Sequence, residues 1–160
     1  MKTTLQNNAE LIGHYSMIPI KGKTVDMLRL PKKINFKKKA INAFSLLVRT
    51  EAGFKCEFHS RLREMGLKSP CVCNDVMQCC HKISRKKLPI LFDRRNVLCG
   101  CSSSNTWAHW NETEWGILWR KMYPEDVEYL ETAKNRVVHS KQWDYKIMLD
   151  EYIQKIKEKK

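Results

Sequence analysis

Within the thirty-five residues from Cys71 to Asn105 stand one histidine, His81, and Asn96 and Asn105, fifteen and then nine residues further on. Two Cys-x-Cys pairs, Cys71/Cys73 and Cys99/Cys101, bracket the histidine. Each residue type brings its own chemistry. An imidazole whose ordinary pKa lies near physiological pH can be neutral and still accept a proton, which makes His81 a candidate general base. A carboxamide oxygen is a hard neutral donor that suits Mg²⁺, with waters and a phosphate completing the shell. Thiolates favour zinc, and side chains alternate along an extended strand. Cys71 with Cys73, and Cys99 with Cys101, would then each face one way and could converge on one tetrahedral structural zinc. Cys56-x-x-His59, Cys79 and Cys80 are further ligands that could substitute in that site or form a second one.

These groups need a scaffold, and the flanking sequence predicts a mostly helical one. Apolar residues Ile41, Phe44, Leu47 and Val48 define one face of a helix over Lys38–Thr50, which Gly53 ends. A short basic helix over 60–70 would close at Gly66. Trp115, Leu118, Trp119 and Met122 form another helical face; aromatics can stack on exposed bases, but at this spacing the tryptophans from Trp107 to Trp119 read as core. Pro124 suits the first turn of a helix running through Val127, Leu130 and Ala133 to Val137. A last helix runs from about Tyr145, with Ile147, Met148, Tyr152, Ile153 and Ile156 along one side. Before these elements, Met17–Val25 could form a hairpin turning at Lys21-Gly22-Lys23.

The 160 residues carry a net charge of +13, unevenly placed: residues 1–110 hold 20 Lys/Arg against 7 Asp/Glu, and residues 111–160 hold 10 against 10. A surplus segregated on the first two thirds fits a polyanion partner better than an acidic protein or a membrane surface. No apolar run approaches the ~20 residues of a membrane span, and the first residues lack a signal peptide's apolar stretch. A cytoplasmic location is therefore expected, where seven cysteines point to metal binding before disulfides.

The His…Asn…Asn order resembles that of HNH nucleases. Ala40-Ile41-Asn42-Ala43-Phe44, Arg85, Leu91-Phe92-Asp93-Arg94-Arg95-Asn96 and the stretch Tyr123–Glu131 narrow the resemblance to the NinG/Rap recombination proteins of lambdoid phages, over residues 37–158. The resemblance implies an α+β fold in which a zinc-stabilised ββα-metal hairpin is flanked by an N-terminal helix and C-terminal helices. The chain would divide into a basic arm at 1–36, a nuclease core at 37–111 and a helical region at 112–160. It further implies that the residue matching Asn96 fixes the hairpin and orients His81, that the one matching Asn105 ligates Mg²⁺ or Mn²⁺, and that the substrate is branched DNA, a Holliday junction or D-loop. Resolving a junction symmetrically would require a homodimer.

Arg85, Lys86, Lys87, Arg94 and Arg95 flank the expected site, and Lys37, Lys38 and Lys39 add a positive run; together they are candidates for phosphate contact. The net-neutral C-terminal helices look like scaffold or a dimer surface. One departure stands out: many HNH sites carry Asp or another ligand just before the base, whereas this chain has Cys80 there and Gln78 two before. A thiolate is a poor partner for Mg²⁺. That feature favours the alternative of a non-catalytic zinc module that binds DNA or RNA.

Overall fold

A two-stranded antiparallel sheet lies between two layers of helix. The structure is a computed structural model and describes residues 34–159 apart from 140 and 142. Up to residue 33 the expected basic arm, with its Met17–Val25 hairpin, falls outside the described residues, as does any account of its order. Ile34–Lys160 forms one compact unit.

Helix α1 (Phe36–Glu51) starts where the Asn35 side chain accepts from Lys38 N at 2.9 Å, satisfying an otherwise orphaned first-turn donor. Ala40, Ala43, Phe44, Leu47 and Val48 are its buried face, at helical spacing. The helix ends into Gly53 at φ 57°, a left-handed conformation that glycine adopts without a Cβ clash. Helix α2 (Glu57–Glu64) is stopped in the same way by Gly66 at φ 66°.

Strand β1 (Met77–His81) pairs with β2 (Val97–Cys101), with Cys79 opposite Cys99 and His81 opposite Val97. The expected strand through Cys71 and Cys73 does not form. Instead Asn74 turns the chain: its side-chain amide donates to Ser102 Oγ and Ser103 Oγ, and its Oδ1 accepts from Val76 N. Helices α3 (Ser102–Trp110), α4 (Glu112–Met122), α5 (Pro124–Ala133) and α6 (Tyr145–Glu158) follow. Helix α5 stops short of the expected Val137.

An isolated hairpin is marginal in water, so both faces of this one must be covered. Every residue of β2 is buried. Val97 and Cys99 pack with Phe44, Leu47 and Val48 of α1 and with Tyr152 and Ile156 of α6. Leu98, with Cys80 of β1, packs with Phe58 and Leu62 of α2 and with Trp115, Trp119 and Met122 of α4. The C-terminal helices thus share both cores with the hairpin; Trp115 and Trp119 are core residues and Trp107 packs partly buried against them, but Trp110, also expected in the core, is 77% exposed. Gly100 is required by this packing, because a Cβ there would lie 2.5 Å from Cys80 Sγ and 2.7 Å from Ser104 Oγ.

Candidate metal centre and adjoining cleft

The donor atoms of Cys56, His59, Cys73 and Cys101 all lie within 4.8 Å of one another. Cys56 sits just before α2 and His59 is its third residue, so one helical turn presents sulfur and imidazole together. His59 Nδ1 lies 3.1 Å from Cys56 Sγ and 3.8 Å from Cys101 Sγ. The other ring nitrogen, Nε2, donates to the Cys71 carbonyl at 2.9 Å. A ligating histidine is ordinarily held in this way, its second N–H fixed on a carbonyl so that the free nitrogen faces the metal. Three thiols and an imidazole in this arrangement fit a structural zinc.

The thiols of the cluster influence one another's ionisation. Burial and the neighbouring Cys56 and Cys101 push the Cys73 thiol up to about 12. Burial also works against ionising Cys101, but hydrogen bonds from Ser104 and from backbone N–H groups outweigh it and bring that thiol down to about 7. Cys101 is the N-cap of α3, its Sγ accepting from Ser104 N at 3.4 Å. Neighbouring thiolates repel one another, and a bound zinc removes the conflict.

This set replaces the four cysteines expected from alternation. Cys73 and Cys101 are in it; Cys71 and Cys99 are not. Cys71 contributes its carbonyl, and its Sγ lies 3.8 Å from Nε2, the nitrogen turned away from the cluster. Cys99 is fully buried against α1 and α6, whereas Cys101 leaves the strand's alternation to cap α3. Burial pushes the Cys79 thiol up to about 12 and raises Cys80 as well. Cys80 is 1% exposed within the core and is therefore no ligand toward the cleft.

None of the four cluster residues lines the cleft of about 720 Å³ whose lining includes His81, Arg85, Lys86, Asn105, His109, Glu112 and Glu131. His81 ends β1, and Trp115 Nε1 donates to its carbonyl at 3.4 Å. Burial, and then the Arg85 charge, lower the His81 ring from its ordinary value to about 4; contacts with the Cys79 and Leu91 backbone oppose this only in part. The ring is therefore neutral at physiological pH. Asn105 Nδ2 donates to Gln78 Oε1 at 2.7 Å, which fixes the carboxamide on α3.

Asn96 is not in the cleft. It is fully buried under the hairpin loop. Its Oδ1 accepts from Ile83 N at 2.8 Å, and its Nδ2 donates to the Ile83 and Ile90 carbonyls, each at 3.1 Å. It ties down the loop that follows His81. Asn96→Ala would orphan these backbone groups, and we expect a loss of roughly 2–4 kcal/mol in unfolding free energy by denaturant titration, since each unsatisfied buried group costs about 1–3 kcal/mol. A loss under about 0.5 kcal/mol, the size of an ordinary surface substitution, would contradict this role.

The basic candidates divide. Arg85 and Lys86 line the cleft, while Lys87 is exposed on the same loop outside its lining. Arg94 is a clamp within the fold: its guanidinium donates to Glu51, to Glu57 and to the Val97 carbonyl, and Glu57 in turn accepts from Cys99 N at 2.6 Å. Arg95 pairs with Asp93 and lies 3.3 Å over the Tyr129 ring. Lys37, Lys38 and Lys39 are exposed in the first turn of α1 and do not line the cleft. His109 was not singled out from the sequence; its spacing of four from Asn105, one turn along α3, was the available signal.

Comparison of the chain with family models, with curated proteins and with solved structures finds no match. Among the described residues no helix is long and apolar enough to cross a membrane.

Proposed function

We propose that this protein is a metal-dependent HNH-type endonuclease of the NinG/Rap kind that cleaves branched DNA. One observation carries the reading: His81 at the end of β1 and Asn105 on α3 line the same cleft, with Arg85 and Lys86 on its wall. In this reading the neutral His81 ring takes a proton from the attacking water. Arg85 and Lys86 hold the phosphates on either side of the cut. Asn105 Oδ1 and His109 would hold a Mg²⁺ or Mn²⁺ ion, which supplies charge for the developing phosphorane and the leaving oxygen. With Cys80 turned into the core, the carboxylates on hand are Glu112 and Glu131, both in the cleft lining.

The phage setting, the Holliday junction or D-loop substrate and the homodimer come from the resemblance. They are tested together by incubating the zinc-loaded protein with a synthetic four-way junction, a D-loop and a linear duplex, with Mg²⁺ or Mn²⁺. Cleavage is expected on the branched substrates in preference to linear duplex, and sedimentation is expected to give two chains per junction. Binding without cleavage of any substrate would leave the second reading, a non-catalytic zinc module for DNA or RNA. The absence of a carboxylate immediately before His81 favours it.

A further inference from the structure

Immediately after the proposed base, Lys82 lines two clefts: the one that contains His81 and a second, of about 360 Å³, lined along α4 by Gly116, Ile117, Arg120 and Lys121. Its ammonium lies 3.5 Å from where a Cβ on Gly116 would sit, an ordinary contact distance, so Lys82 and Gly116 are neighbours in the second cleft. Lys82 is half-buried, and among the described residues neither it nor Arg120 nor Lys121, which also line the second cleft, makes an ion pair. Burial lowers the Lys82 ammonium pKa, and the charges of Glu131 and Glu112 oppose this only in part. Between these three cations the surface is apolar, formed by Gly116, Ile117 and Val127, and Ile117 is 52% exposed. Glu112 and Glu131 line both clefts.

This mixture is poorly suited to a bare run of phosphates, which the two carboxylates would repel. It matches one whole nucleotide, with phosphate oxygens on the cations, a base face against the apolar strip and a base amino group donating to Glu112, since Glu131 already pairs with Lys134. In a duplex the faces of a base are stacked and out of reach. We propose that the cleft of Lys82, Gly116, Ile117, Arg120, Lys121 and Val127 is a subsite for an unpaired nucleotide next to the scissile phosphate. This rests on the nuclease reading of His81 and deepens it: the subsite would be how the protein selects DNA that is unpaired at a branch. It also gives α4 a substrate role beyond scaffold.

The test is fluorescence anisotropy of the full, zinc-loaded chain with three labelled DNAs: a 12-nucleotide single strand, a four-way junction with unpaired nucleotides at its centre and a blunt duplex. Gly116→Leu fills the cleft from a helical position where leucine is the better helix former, so the fold is kept. We expect it to weaken binding of the single strand and the junction about tenfold, with duplex binding changed less than about twofold. Arg120→Glu with Lys121→Glu should do the same and flatten the salt dependence by about one to two phosphates. Equal losses on all three DNAs, or none, would overturn the subsite. Cleavage runs separate the two ideas. If wild type cuts nothing yet Gly116→Leu selectively loses unpaired DNA, the subsite stands and the nuclease reading fails. If Gly116→Leu cuts junctions with unchanged preference, the reverse holds.

Discussion

Chelation of zinc is expected to unfold Ile34–Lys160. Structural zinc contributes on the order of 10 kcal/mol to small metal-dependent domains, comparable with the whole stability of an ordinary domain, about 5–15 kcal/mol. Here the dependence should be strong. The only sheet among the described residues has two strands, and the metal centre ties three separated stretches together: the start of α2, the irregular segment at Cys73 and the β2–α3 junction. Cys101 N–H also donates to Cys56 Sγ at 3.2 Å, so the sulfur that would bind the metal is also a backbone acceptor for the strand. Excess chelator at neutral pH should abolish the near-ultraviolet signal of the buried tryptophans and the cooperative thermal transition; added zinc should restore both. Cys56→Ser and Cys101→Ser should lower zinc content well below one per chain, whereas Cys71→Ser and Cys99→Ser should retain it. Zinc lost from Cys99→Ser and kept in Cys56→Ser would refute the assigned ligands, and an unchanged melting curve in chelator would refute the structural role.

The same comparison of cysteines shows what the sequence made legible. The face of α1 was readable because Ile41, Phe44, Leu47 and Val48 follow helical spacing without interruption, and the start of α5 because Pro124 leaves a local mark; α6 was placed by its apolar residues alone, and its cap, Asp144 Oδ1 accepting from Lys146 N and Ile147 N, was not singled out. A soft metal site was also legible in the number and spacing of cysteines. Its ligands were not, because alternation holds only where a strand exists. Residues 71–73 have none, and Cys101, the last residue of β2 and the N-cap of α3, packs with Leu98 and not with Cys99. Cys56 and His59 belong together because they open a helix, a local feature that the pattern Cys-x-x-His hints at without fixing. Tertiary pairing was harder still. Nothing local says that Arg94 will meet Glu51 and Glu57, more than thirty-five residues earlier in the chain, and so be withdrawn from phosphate binding. His109 became visible only once the start of α3 was known, which puts it on Asn105's face.

Replacing His81 with alanine is expected to reduce cleavage of branched DNA by about 10²–10⁴-fold, the usual contribution of a positioned general base, with zinc content and the thermal transition retained. The pH dependence separates this role from a structural one. Because the free ring titrates near 4 and not at its ordinary 6.5, the base is already deprotonated at pH 7, and protonation abolishes its function. The acid limb of kcat/KM should therefore fall well below pH 6.5, with activity level from neutrality down to about pH 5. Linkage gives stability the same sign: the unfolded chain takes up this proton near 6.5 and the folded chain only near 4, so the contribution is complete above 6.5 and is lost as pH falls through that window. Arg85 is the charge that helps hold the pKa down. Arg85→Gln should consequently move the acid limb toward higher pH, an effect that lost phosphate contact alone cannot produce, since weaker binding lowers the profile without shifting it. A limb that stays in place in Arg85→Gln, or cutting by His81→Ala at the wild-type rate, would remove the imidazole from the mechanism. The low pKa also limits the chemistry, because a ring that is always free of its proton is a weak base. Most of the rate must then come from positioning and from charge placed around the phosphate, so loss of the Arg85 and Lys86 side chains together should cost as much as loss of His81 itself.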